Sequence, residues 1–125
     1  MVAKYQTFRE LLQLTTAFVA SGSVFVQGMT QVCFLCDYTK GDSDRAEIKV
    51  EFSGDNVNWY QESIVSELDI YDNFPIHRPC IRKLVDDIKT IISIPICSRY
   101  MRISSKAVGS GVGTSLSVKG VMDRI

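Results

Sequence analysis

Little in this chain points to charge-driven binding or to catalysis. Fourteen Lys and Arg residues offset fourteen Asp and Glu, so the formal net charge is zero. That balance removes the attraction that draws proteins onto nucleic acid or anionic membranes without specificity. It also removes self-repulsion, so copies of the chain associate more readily. No run approaches the roughly 18–20 consecutive apolar residues of a membrane span. Met1–Glu10 lacks a basic stretch followed by an apolar one, so no secretory leader is expected and synthesis in a cytoplasm is. No internal period of roughly 20–50 residues suggests a repeat array. The single histidine, His77, lies between Pro75 and Pro79. A lone histidine in an irregular segment reads as a surface or packing residue, and no nucleophile, base and stabilising group converge around it. The chain is therefore not expected to be an enzyme, and no cofactor is expected.

Cysteine is also sparse. Cys33 and Cys36 have the C-x-x-C spacing of half a zinc site, but they sit in Gln31–Tyr38, which reads as a strand. Residues three apart on a strand point to opposite faces, so the two thiols should not converge on one metal. Cys80 and Cys97 are 17 positions apart, with Cys97 in an apolar segment. Small buried hydrophobes is the simpler reading of all four, and sequence chooses no disulfide pairing. Asp86 and Asp87, with Asp69 and Asp72, form an acidic group that calcium would favour. It lacks EF-hand spacing, and a solvated face explains it as well. No metal site is expected.

What the chain does have is β-branched residues. Val and Ile number 25, against 12 Leu and Ala. These side chains lose rotamer freedom in helices and pack well on a pleated face. Ala46, Ile48, Val50 and Phe52 alternate with Glu47, Lys49 and Glu51, the pattern of a strand with one wet face. Val32, Phe34, Cys36 and Tyr38 share a face ahead of it. The Gly, Ser and Asp of Thr39–Asp44 predict a hairpin turn between these two strands. Ser53–Asn58 predicts a second turn, into a strand over Trp59–Val65. Ile92, Ile94 and Ile96 share a face of another strand, which Pro95 assigns to an edge or an end. Met101 and Ile103 point inward from the next, with Arg102 and Ser104 outward. The glycines of Gly109–Gly113 precede no helical pattern, so they predict a hairpin loop and not a phosphate cradle. Leu116 and Val118 face in from the last strand. Phe8–Val19 fits a helical stripe and also a strand with Leu12, Leu14, Thr16 and Phe18 on one face, and its threonines favour the strand. Ser66–Asp87 reads as an irregular excursion with a short helical turn near Arg82–Asp87. The fold class is all-β: a single antiparallel β-sandwich over residues 1–125, of jelly-roll or discoidin-like kind, with about eight strands. Residues 1–20 are expected to form an N-terminal arm and 66–87 a docking excursion.

The hairpin Ile48–Gln61, with Ser53, Asp55, Asn58 and Trp59 at its turn, resembles small β-sandwich structural proteins of tailed bacteriophages. So does the later order of Arg99-Tyr-Met-Arg102, Gly109–Gly113 and the strand Ser115–Val121. The resemblance covers roughly a third of the chain. It implies a virion component of decoration, head-fibre or neck type, made in the host cytoplasm, homo-oligomeric, and partnered by copies of itself and by capsid, portal, neck or fibre proteins. The Val50–Trp59 and Arg99–Ile103 pieces are also similar to discoidin-like domains. That likeness implies carbohydrate binding through loops, with Trp59, Tyr60 and Tyr71 as a sugar platform. The shared pieces are sandwich scaffold and argue fold better than ligand. The middle segment lies outside both likenesses. Its apolar and basic residues Ile70, Tyr71, Phe74, Ile76, His77, Arg78 and Arg82 are the expected partner contacts, with the basic group meeting acidic neighbours on a partner.

Overall fold

The β-branched bias is realised as strand. A computed structural model describes residues 3–68 and 74–123, which contain twelve strands and no helix. In chain order they are β1 (Ala3–Leu12), β2 (Val19–Ala20), β3 (Val24–Phe25), β4 (Gln31–Thr39), β5 (Arg45–Ser53) and β6 (Tyr60–Gln61). Then come β7 (Ser63–Leu68), β8 (Pro75–Pro79), β9 (Arg82–Leu84), β10 (Ile88–Pro95), β11 (Tyr100–Val108) and β12 (Ser115–Asp123). Eight of them have five residues or more, and β2, β3, β6 and β9 have only two or three. The chain is an antiparallel β-sandwich. One sheet has the order β1-β12-β4-β10. The other has the order β2-β11-β5-β6, with β3 also on β11 and β9 also on β5. A two-stranded ribbon, β7-β8, stands apart.

The inward residues follow the alternation read from the sequence. Val32, Phe34, Cys36 and Tyr38 meet Ala46, Ile48, Val50 and Phe52 across the core, joined by Met101, Ile103, Leu116, Val118 and Met122. Burial pushes the Cys36 thiol up to about 11, since the charged form has nothing there to solvate it. Phe8 stands edge-on to Phe34, their centroids 5.0 Å apart. Gly120 makes room for it, because a Cβ there would lie 2.7 Å from the Phe8 ring.

Strand pairing differs from the sequence expectation in two places. Thr39–Asp44 does not close a hairpin. β4 pairs with β12 and β10, while β5 pairs with β11, β6 and β9, so this loop crosses from one sheet to the other. The same holds for Gly109–Gly113, between β11 and β12. A period-2 pattern shows which face is buried but not which strand supplies the hydrogen bonds, and these loops are long enough to span two packed sheets about 10 Å apart. The two arches interlock. Asp42 N donates to Val112 O at 2.9 Å, and Gly41, at φ +53°, packs so close to Gly113 that a Cβ would sit 2.4 Å from its carbonyl carbon.

The first element resolves in favour of strand. Residues 3–12, expected within an N-terminal arm, are paired along β12. Of the face predicted there, Leu14 is buried and Leu12 exposed: β1 ends at Leu12, so strand alternation does not carry on to Leu14. The helical turn expected near Arg82–Asp87 is absent: Arg82–Leu84 is β9, paired with Ala46–Ile48.

Candidate functional site

The ribbon is an insertion in an edge strand. β6 and β9 lie along the same side of β5, at Glu51–Phe52 and Ala46–Ile48, and the chain leaves and returns between them. Its root is held by hydrogen bonds. Cys80 N donates to Glu62 O at 2.9 Å, Gln61 Nε2 donates to Cys80 O at 3.0 Å, and Glu62 N donates to Val50 O at 3.1 Å. Arg82 grips the Glu62 carboxylate with Nε at 3.0 Å and Nη2 at 3.3 Å. Partial burial, reinforced by that carboxylate, raises the Cys80 thiol above its ordinary value.

Above the root, among the described residues, β7 and β8 pair only with each other: Ser63 with Pro79, Ile64 with Arg78, Val65 with His77, Glu67 with Ile76 and Leu68 with Pro75. Successive residues of a two-stranded ribbon face opposite sides, so Ile64 and Val65 expose both faces. Phe74, 68% exposed, precedes β8. His77 Nδ1 lies 3.2 Å from Ser63 Oγ. An isolated two-stranded ribbon with apolar residues on both faces is marginal in water, and a partner surface that covers it removes that cost.

The structure thus brings Phe74, Ile76, His77 and Arg78 together, and ties Arg82 to Glu62 at the root. Ile70 and Tyr71 lie outside the described residues, as do Asp69 and Asp72. The sequence reading missed Ile64 and Val65. Two adjacent apolar residues with no polar alternate favour neither face, and that was their signal.

The other candidate side chains have neighbours of their own. Trp59 carries the Arg102 guanidinium 4.2 Å from its ring centroid, so that face is taken. Trp59 is half-buried while the adjacent Tyr60 is exposed, and adjacent residues of an extended chain do not build one platform. Tyr71 again lies outside the described residues. Asp87 Oδ1 accepts from Lys40 N at 2.7 Å. Among the described residues no group of three potential metal ligands converges. All four thiols are free, and the reading of them as buried hydrophobes holds for Cys36 alone: Cys33 and Cys80 are half-buried and Cys97 is exposed. Asp55 serves its own turn. It accepts from Ser53 Oγ, Val57 N and Asn58 N at 3.0, 2.9 and 2.8 Å, and these bonds hold its carboxyl well below the usual range.

No family model matches this chain, and no curated protein matches its sequence. The fold defined above, an antiparallel β-sandwich, has a counterpart among solved structures. The crystal structure of the SPBc2 prophage-derived protein YomS superposes with a TM-score of 0.60 over 97% of this chain and 92% of that one. The two are 14% identical, a likeness that shows the fold alone.

Proposed function

We propose that this chain is a non-enzymatic structural protein of a bacteriophage particle, which associates with itself and docks on the capsid or neck lattice as a decoration, head-fibre or neck component. The observation that carries the docking is the ribbon: Ile64, Val65 and Phe74 lie exposed on a hairpin that the rest of the sandwich does not cover. The phage setting is supported by the near end-to-end fold likeness to a prophage-derived protein. The zero net charge supports self-association, since identical surfaces then meet without long-range repulsion. The partners are other virion proteins, met through the apolar ribbon with His77 and Arg78 beside it.

Quantitative mass spectrometry of gradient-purified particles tests this reading. A stable number of copies per particle that fits a ring or shell symmetry is the expected result. Absence from particles while the protein is abundant in infected-cell lysate would sink it.

A further inference from the structure

Among the described residues the sandwich has four sheet edges, and three are blunted. β2, β3, β6 and β9, which border the β11-β5 pair, are two or three residues long. β1 carries two register shifts against β12. Short strands and bulges are two of the ways of keeping an edge from pairing with another chain, edge Lys and Pro being others. The fourth edge, β10, is neither short nor bulged. Its eight residues run in unbroken register along β4, and no strand covers its far side among the described residues.

The direction of its free backbone groups can be read. Ile96 N donates to Thr30 O, which continues the register, and Lys40 N, at the other end of β4, turns toward Asp87 beside β10. Direct partners that share a bond belong to the hydrogen-bonded series of an antiparallel ladder. Ile88, Thr90, Ile92 and Ile94 therefore exchange with β4, while Lys89, Ile91 and Ser93 turn N–H and C=O outward. Pro95 falls in that outward series, where its missing N–H costs the ladder nothing.

We propose that β10 pairs with β10 of a second copy about a two-fold axis at Ile91, joining two four-stranded sheets into one of eight strands. This deepens the self-association half of the reading above and does not depend on the particle. The occupant is a second copy because the edge is self-complementary. A two-fold at Ile91 sets Lys89 opposite Ser93 of the second copy and Ile91 opposite itself, about six backbone bonds in all, and Pro95 ends the ladder. No like charges are opposed. An axis at Lys89 would oppose two ammonium groups, and one at Ile92 would bring Pro95 into the ladder. On the outer face, Ile91 is 64% exposed beside Leu35, its direct partner on β4. Together with Lys89, Lys119 and Asp37 they line a shallow depression of about 330 Å³. Pairing makes one apolar row, Leu35–Ile91 followed by Ile91–Leu35 of the second copy.

The test is analytical ultracentrifugation of the full chain, combined with site-specific crosslinking in a Cys97→Ser background. A dimer is expected, and Ile91→Lys, which opposes two charges on the axis, should raise its dissociation constant at least ~10-fold. Directly opposed hydrogen-bonded residues have Cα atoms about 5.5 Å apart, within disulfide reach. Ile91→Cys should therefore crosslink to its copy on mild oxidation. Lys89→Cys should not, since the two residues would lie about 13 Å apart along the ladder. A wild-type chain that stays monomeric at ~100 µM overturns the proposal. So does a dimer that survives Ile91→Lys with no Ile91→Cys crosslink, because its interface then lies elsewhere. Neither result changes the copy number per particle, which tests the functional reading separately.

Discussion

The two sheets turn opposite kinds of surface outward. While Phe25 on β3 stays 52% exposed, over β5 and most of β11 the outer face of the β11-β5 sheet is covered by its own side chains. Phe18 lies across it, with Lys49 Nζ 3.9 Å and Lys106 Nζ 4.8 Å from its ring centroid. Glu47 is only 7% exposed, gripped by Arg45 Nε at 3.1 Å and approached by Lys106 Nζ at 3.7 Å. Glu51 accepts from Ser104 Oγ at 2.9 Å and pairs with Arg102 at 3.4 Å, and Arg102 in turn stacks on Trp59. The outer face of the β4-β10 side has Leu35 and Ile91 exposed instead, with Tyr5 on β1 in the same state. A face closed by ion pairs and rings has settled its contacts within one chain. A face of exposed aliphatic residues beside a regular edge has not, and this difference separates scaffold from the surface left for partners.

The largest expected effect tests the closed face. Glu47→Ala leaves Arg45 and Lys106 facing each other over a half-buried site with no carboxylate between them. We expect a loss of about 2–3 kcal/mol, below the usual figure for a fully buried pair because both cations keep part of their hydration. Urea unfolding of the variant against wild type measures it, and a change under ~0.5 kcal/mol would show that the pairs merely decorate the sheet.

Next in size is a pH effect from the core between the faces. The Cys36 thiol is raised by burial from its ordinary 9.0, which the unfolded chain keeps, to about 11. Below about 9 both states hold the proton and stability is unaffected. Between there and about 11 only the folded state holds it, so stability falls as pH rises, by roughly 1.4 kcal/mol at pH ~10. The difference between wild type and Cys36→Ala, followed from pH 7 to 10, isolates this slope. A difference that stays flat would mean the thiol ionises in place.

How far the sequence reaches can be seen at Glu47. The alternation from Ala46 to Phe52 correctly separates inward from outward residues. It calls the outward face wet, and that is where it stops. Glu47 is met by Lys106, 59 residues further on, which also lies over the ring of Phe18 from a segment with no clear period. Pro95 marks β10 as an edge or an end, and both hold, because a missing N–H is a local fact, legible in one residue. The partners of β4 and β5 are not local facts. A loop such as Thr39–Asp44 has the same turn chemistry whether it closes a hairpin or arches between sheets. In the candidate site, Phe74, Ile76, His77 and Arg78 stand out as apolar and basic residues without a face to bury. The Arg102 that occupies Trp59 is 43 positions further on and leaves no mark in the hairpin around Trp59.

The smallest effect is the one that sharpens the comparison most. Ile91→Thr keeps the β-branch that suits a strand and replaces an exposed ethyl group by a hydroxyl. If the outer face of the β4-β10 side is open in the single chain, the side chain loses no burial on substitution. Unfolding at a concentration where the chain is monomeric should then change by less than ~0.5 kcal/mol. At higher concentration the same substitution should lower the unfolding midpoint, because a hydroxyl now sits in the apolar row on the two-fold and association no longer adds its share to stability. A cost that is the same at every concentration would mean that the residue is already covered within its own chain. The two outer faces would then be alike, and the partner surface would reduce to the β7-β8 ribbon.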